Sequence, residues 1–249
     1  MRRPSPEGSE PASGGRARVH GHPQVAAMID VILCDDHALI RRGIRDTLSD
    51  ASDIRVVGEA GDYGELRGLL RALTSTGLEP LRASPCDVLV LDINLPGRSG
   101  LDALQALKDE GSPVKVLVVS MYPEDQYAIR ALRAGAYGYV NKGGDPQLLV
   151  QAVRTVAQGR KYVTPEIAQM LVESLTAPAH ESPHSKLSDR ELQTLVMIAS
   201  GKRLADIAEA LTLSPKTVSV YRARVLEKLQ LANNSELTVY AIRNGLVGQ

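Results

Sequence analysis

Apolar positions along the chain follow two regimes. From Asp30 to about residue 158, short apolar runs alternate with stretches in which Leu, Ile and Val recur at helical spacing. The runs Val31-Ile32-Leu33-Cys34, Ile54-Arg55-Val56-Val57, Val88-Leu89-Val90-Leu91, Val116-Leu117-Val118-Val119 and Tyr137 to Val140 predict strands. Runs of this kind, rich in β-branched residues, suit strands covered on both faces. Between them, Ile40, Ile44 and Leu48, then Leu66, Leu69, Leu70 and Leu73, then Leu101, Leu104 and Leu107, then Ile129 and Leu132 predict helices. Gly135 stands where a left-handed residue closes the fourth helix, and Asp145-Pro146 has the form of an N-cap and first residue of another, running to Gly159. Five β-α units predict an α/β fold, a doubly wound five-stranded parallel sheet.

After residue 158 the strand pattern stops. Thr164-Pro165-Glu166 opens a helix expected to end near Leu175, and the Pro-, His-, Ser- and Ala-containing residues 176–186 read as a flexible tether. Ser188 and Glu191 then form a capping box for a helix through Leu192, Leu195 and Ile198, which Gly201 ends. Leu204, Ile207, Ala208 and Leu211 make a short second helix. Thr212-Leu213-Ser214 is a tight turn, Ser214-Pro215 starts a third helix to about Leu229, and a fourth runs from Ser235 through Ile242. Helix, short helix, turn, longer helix is the layout of a helix-turn-helix, a second, smaller all-α domain. The expected division is a disordered extension at 1–27, the α/β domain at 28–158, a linker with a helix at 159–186 and the helical domain at 187–249.

On the third helix of that domain, Val218, Val225 and Leu229 share one face with Tyr221 alongside, while Lys216, Ser219, Val220, Ala223 and Glu227 point the other way. A small and polar face with one apolar side chain suits the DNA major groove, where apolar groups meet thymine methyls. Lys216, Arg222 and Arg224 are placed to reach phosphates, Arg222 by snorkelling from the core-facing side. The expected DNA contacts are Lys216, Thr217, Ser219, Val220, Arg222, Ala223 and Arg224.

The strand ends carry the other candidate chemistry. Asp35-Asp36, Asp92 and Ser120 end the first, third and fourth strand patterns, and the fifth leads into Asn141-Lys142. Parallel strands present their carboxyl ends at one edge, so these groups converge there. Alone, Asp92 reads as an ordinary helix cap. In company, three carboxylates need a cation among them, and hard oxygen donors with an open side suit Mg²⁺. A hydroxyl and an ammonium facing the same point hold phosphoryl oxygens, and an ionised Asp is a competent nucleophile toward phosphorus. His37 reads as a helix-start histidine, and Met121 and Tyr122 as packing beside this edge.

With those residues assembled, positions 29–158 resemble the receiver domain of bacterial two-component response regulators, a flavodoxin-like fold. The resemblance implies that Asp92 is the phosphoacceptor and that Asp35, Asp36, Asp92 and the backbone carbonyl of Asn94 bind Mg²⁺. It further implies that Ser120 and Lys142 contact the phosphoryl group and that Tyr139 reorients with Ser120 as the switch. One departure is Gly143 after Lys142, where the family has a proline in a cis peptide; another is the long connection from Thr74 to Cys86. The helical half resembles the LuxR-type DNA-binding domain through Leu187-Ser188-x-Arg190-Glu191, Gly201, Asp206-Ile207-Ala208, Leu213-Ser214-Pro215-Lys216-Thr217-Val218 and Val225-Leu226-x-Lys228-Leu229. Together they resemble the NarL/FixJ subfamily. Its implied partners are operator DNA, a sensor histidine kinase and a second copy, as a homodimer on phosphorylation.

Composition narrows the alternatives. The net charge of zero hides 13 Lys/Arg against 18 Asp/Glu in residues 28–150, and 9 against 6 in residues 186–249. The helical half therefore carries the excess positive charge that a polyanion partner calls for, though a small excess is also ordinary for a solvated surface. Cys34 and Cys86 fit neither a disulfide framework nor a metal spacing and read as structural thiols. With no secretory signal and no bilayer-length apolar run, the expected location is the cytoplasm, away from any membrane. An aspartyl-phosphate phosphatase is the enzymatic alternative, but the position two after the nucleophile, where such hydrolases place a second Asp, holds Asn94. A phosphorylation-independent DNA-binding regulator or adaptor is the non-catalytic alternative, against which the full pocket argues.

Overall fold

The computed structural model describes residues 28–75, 84–122, 124–176 and 182–247. The extension at 1–27 and the middle of the long connection, 76–83, lie outside the described residues. The first half forms β1 (Ile29–Cys34), α1 (Ala38–Ser49), β2 (Ile54–Ala60), α2 (Tyr63–Ser75), β3 (Val88–Asp92), α3 (Gly100–Asp109), β4 (Lys115–Ser120), α4 (Glu124–Ala134), β5 (Gly138–Asn141) and α5 (Pro146–Ala157). The five strands make a parallel sheet in the order β2-β1-β3-β4-β5. β2 runs three residues beyond the Val57 end of its apolar run, because Cys34 at the end of β1 still pairs with Ala60.

Strand periodicity sorts the core. Val31, Leu33, Val88, Val90, Leu117 and Val119 face α1 and α5, where Leu48, Leu149, Ala152, Val153 and Val156 meet them. Ile32, Leu89, Leu91, Val116 and Val118 face the other way, toward Leu66, Leu101, Leu104 and Ala131 of α2, α3 and α4. Alternate side chains point to opposite faces of a strand, so a run apolar at every position is what a doubly covered sheet requires. Asp145 caps α5 by accepting from the Gln147 amide, with Pro146 in the first turn, and Gly135 and Gly159 take positive φ after α4 and α5.

The linker is tied to the sheet before it leaves. Tyr162 donates from its backbone N–H to Tyr137 carbonyl at 2.8 Å and pairs in parallel with Gly138, an approach that a Cβ on Gly138 would obstruct at 2.9 Å. α6 (Pro165–Thr176) then packs on α4. Residues 183–186, expected to be part of a loose tether, form a short 3-10 turn instead. The cause is Arg130 on α4, whose guanidinium donates to the carbonyls of His184 (2.6 Å) and Leu187 (2.7 Å).

The C-terminal half forms α7 (Asp189–Ala199), α8 (Leu204–Ala210), α9 (Pro215–Leu229) and α10 (Asn234–Arg243). The capping box is present: Ser188 accepts from the Glu191 amide and Glu191 accepts from the Ser188 amide. Glu191 also takes the Lys228 ammonium at 2.6 Å, which fixes the end of α9 against the start of α7. Val218, Val225 and Leu229 are the buried positions of α9. Among the described residues, no helix is long and apolar enough to cross a membrane.

Candidate functional site

The carboxyl ends of β1, β3, β4 and β5 meet in one acidic pocket. Asp92 and Asp35 are 2 % exposed, and Ser120 is fully buried. Register explains the convergence, because Asp92 pairs with Val119 and Ser120 with Asn141, which sets Lys142 one residue beyond the edge. The Lys142 ammonium lies 2.8 Å from an Asp92 oxygen and 2.7 Å from an Asp35 oxygen. Burial pushes the Asp92 carboxyl up to about 6, while the charge and hydrogen bond of Lys142 pull it down and the Asp35 charge raises it again. Gly143 occupies the position that holds a cis proline in the family, and no cis peptide occurs among the described residues. The loop instead closes through Lys142 N–H to the Ser120 carbonyl and Gly143 N–H to Asn141 Oδ1, both 2.8 Å, and Lys142 still reaches its carboxylates.

Carboxylate oxygens of Asp35, Asp36 and Asp92 come within 4.8 Å of one another, with a ring nitrogen of His37 among them. One ammonium cannot neutralise three such carboxylates, and the Lys142 ammonium reaches Asp35 and Asp92. This hard, oxygen-rich donor set fits Mg²⁺. His37 sits at the N-cap of α1 without a side-chain cap bond, the helix-start place expected of it, and its ring lies 2.6 Å from Asp36.

Ser120 Oγ accepts from the Tyr122 amide at 3.1 Å, and the Tyr122 carbonyl accepts from the Tyr139 hydroxyl at 2.7 Å and the Asn141 amide at 3.2 Å. Tyr139 is fully buried, turned inward. Tyr122 stacks on Tyr127 with ring centroids 4.7 Å apart, while Met121 beside it is exposed. Cys34 is buried, its thiol raised first by burial and then by the charges of Asp92 and Asp35, so it stays protonated. Cys86 is also buried and is not in a disulfide.

Two features of the pocket had no reading in the sequence. A Cβ on Gly100 would lie 1.9 Å from the Asp92 carbonyl oxygen, so only glycine starts α3 this close to the acceptor strand. The Pro96-Gly97 loop signal stood nearby but gave no reason to single out Gly100. Asn94 and Leu95 are gripped by α7 of the second domain through Gln193 and Arg190. That contact joins residues 99 and 95 positions apart, and no local pattern reports it.

On α9, Lys216, Ser219, Val220, Ala223 and Arg224 are exposed, with Val220 at 43 %. Thr217 is half-buried, its hydroxyl 2.8 Å from Ser214 Oγ. Arg222 is half-buried and is held differently from the snorkelling expected, for its Nε donates to Asn234 Oδ1 at 2.6 Å at the start of α10. α10 leaves Val239 and Ile242 exposed.

Residues 31–154 match the response regulator receiver domain family, and residues 185–241 match the family of bacterial regulatory proteins of the luxR type. The response regulator UvrY of Shigella flexneri is 40 % identical over 220 residues, 88 % of this chain and 96 % of that protein. The response regulator GacA of Pseudomonas aeruginosa is 40 % identical over 221 residues, 88 % of this chain and 98 % of that protein. Among solved structures, RcsB from Salmonella enterica serovar Typhimurium, bound to the rprA promoter with the phosphomimetic BeF3-, superposes with a TM-score of 0.56. It is 26 % identical, and the match covers 86 % of this chain and 98 % of that one.

Proposed function

The chain belongs to the bacterial two-component response regulators that join a receiver domain to a LuxR-type DNA-binding domain, and from that membership we propose how its own residues carry out phosphorylation and DNA contact. It is a DNA-binding transcription regulator controlled through phosphorylation. Asp92 is the acceptor. An ionised oxygen of Asp92 attacks the phosphorus of a phosphohistidine on a sensor kinase, or of a small acyl phosphate. The bond from phosphorus to the donor breaks, its electron pair leaves with the donor, and a mixed anhydride remains on Asp92.

Asp35, Asp36 and Asp92, with the Asn94 carbonyl, would hold Mg²⁺, which when bound neutralises charge on the phosphoryl oxygens. Lys142 stays at the modified carboxylate as a fixed ammonium, and Ser120 donates its hydroxyl to a phosphoryl oxygen. Tyr139 follows Ser120 because both bond to Tyr122. α9 enters the major groove with Val220 and Ala223 against base edges, and Lys216, Thr217, Ser219, Arg222 and Arg224 hold the backbone. The phosphorylated form is a homodimer, and the protein acts in the cytoplasm, where its DNA lies. Turnover beyond its own phosphorylation is not part of this reading.

The observation that carries it is the Lys142 ammonium seated between Asp35 and Asp92 at 2.7 and 2.8 Å, beside the third carboxylate. The test is labelling with acetyl phosphate. A single label should appear on Asp92 and only with Mg²⁺. Asp92→Ala should abolish it, whereas Lys142→Ala should still label and yet fail to dimerise or tighten on operator DNA. Labelling that survives Asp92→Ala sinks the assignment.

A further inference from the structure

The Lys142 ammonium stands 2.7 and 2.8 Å from two carboxylates, yet the chain that follows it is Gly143-Gly144. Glycine gives up more backbone freedom on ordering than any other residue, so this rim of the pocket is poorly held by its own backbone. Backbone conformation does not call for the two glycines, since neither takes a positive φ. Room around Asn141 does. A Cβ on Gly143 would stand 3.2 Å from Asn141 Oδ1, and one on Gly144 would stand 3.3 Å from the Asn141 carbonyl oxygen.

Asn141 supplies the order that the glycines lack. Its Oδ1 accepts from the Gly143 N–H at 2.8 Å, and its carbonyl accepts from the Gly144 N–H at 3.2 Å. Asn side chains close turns in this way, by taking the backbone N–H two residues on. The other arm of the amide, Nδ2, donates to the Tyr122 carbonyl at 3.2 Å. An amide has its donor and its acceptor on different arms, so Tyr122 fixes which arm faces Gly143. Asn141 is itself seated in β5 by pairing with Ser120, whose carbonyl takes the Lys142 N–H at 2.8 Å. Lys142 therefore lies between two residues that are both tied to Asn141 or to its partner strand. A proline at 143 would have no N–H to give, so the proline of the family and this turn are alternative ways of stiffening one place.

We infer that Asn141 is a positioning residue for the Asp92 site, acting through Lys142 by holding the chain around it in a closed turn. With the turn in place the ammonium is ordered before a phosphoryl group arrives. Without it, the Gly143-Gly144 segment must be ordered at the moment of binding, and that cost is subtracted from affinity. This rests on the reading of Asp92 as the acceptor and of Lys142 as the ammonium that meets its phosphoryl group.

The test is calorimetric titration of the full chain with beryllofluoride in the presence of Mg²⁺. Asn141→Ala should bind about 5-fold more weakly than wild type, the scale of one lost hydrogen bond. Asn141→Thr keeps a side-chain acceptor within reach of the Gly143 N–H and should return to wild-type affinity, a rescue that general damage to the fold does not allow. Lys142→Ala should bind more weakly still, and adding Asn141→Ala to it should change nothing further, because a residue that acts through Lys142 has no effect once the ammonium is gone. Wild-type affinity in Asn141→Ala, no rescue by Asn141→Thr, or a further loss in the Lys142→Ala background each overturns the positioning role alone. Absence of beryllofluoride binding in wild type as well overturns the Asp92 reading, and the positioning role with it.

Discussion

Gly100 starts α3 so close to Asp92 that a single added carbon would sit 1.9 Å from the Asp92 carbonyl oxygen and 2.8 Å from its carbonyl carbon. The Gly100 amide donates to the Ile93 carbonyl at 2.7 Å, so the turn after the acceptor strand closes on itself. The neighbouring atoms are backbone, which cannot swing aside as a side-chain end can. Gly100→Ala should therefore cost about 1–3 kcal/mol or more, the scale of overpacking in a closed core. It should also slow labelling of Asp92, because the strain falls on the acceptor's own carbonyl. Urea unfolding with parallel acetyl phosphate labelling checks both, and wild-type values in each would mean that the loop yields.

Asp92 is expected to be a liability to stability in the metal-free protein. Its folded carboxyl is raised, to about 6, chiefly by burial, above the value near 3.8 of an unhindered group. A raised carboxyl contributes stability that is full below the unfolded value and lost as pH rises through the folded one. Metal-free protein should thus lose stability between about pH 4 and pH 6 on this account. Asp92→Asn leaves a single Asp35–Lys142 pair and should be more stable at neutral pH by about 1–3 kcal/mol, with a flatter profile. Denaturant midpoints in a chelator, measured across pH for both proteins, decide it, and a less stable Asp92→Asn contradicts the account.

Val220 is an exposed valine at the middle of α9, with Ala223 exposed one turn on. Val220→Lys should alter sequence preference, at about 1–3 kcal/mol per lost base contact. Arg224→Ala should instead weaken binding to every sequence and lower the salt slope by about one. Binding selections across salt concentrations separate the two effects, and an unchanged preference in Val220→Lys would show that another face of α9 meets the bases.

His184 joins three elements, its ring 2.9 Å from the Tyr240 hydroxyl on α10 and its carbonyl bonded to Arg130 on α4. Burial first, and the Arg130 charge second, lower its pKa below the ordinary value. A histidine depressed in the folded state contributes stability that is present above the unfolded value, near 6.5, and lost as pH falls. Mild acid should loosen this junction, seen as a loss of amide protection in residues 184–187, relative to intrinsic exchange at each pH, as pH falls below about 6.5. His184→Gln keeps a polar partner for Tyr240 without the titration and should remove the dependence. A profile unchanged by that substitution would assign the effect to another group.

Local pattern was enough for much of this protein. Apolar runs without polar interruption are strands covered on both faces, and the turn residues that punctuate them are set by backbone sterics, so the elements, the sheet and the helix-turn-helix were legible along the chain. Asp35, Asp36, Asp92, Ser120 and Lys142 were legible for the same reason, since parallel strands bring every carboxyl end to one edge. Tertiary structure decided what depends on distance across the chain. It placed Gly100 against a carbonyl eight residues earlier, bonded Arg222 to Asn234 at 2.6 Å, and wound residues 183–186 into a turn under Arg130. Above all it seated α7 on the loop after Asp92, where Gln193 meets Asn94. No period or spacing encodes that contact, because its two residues stand 99 positions apart in different domains.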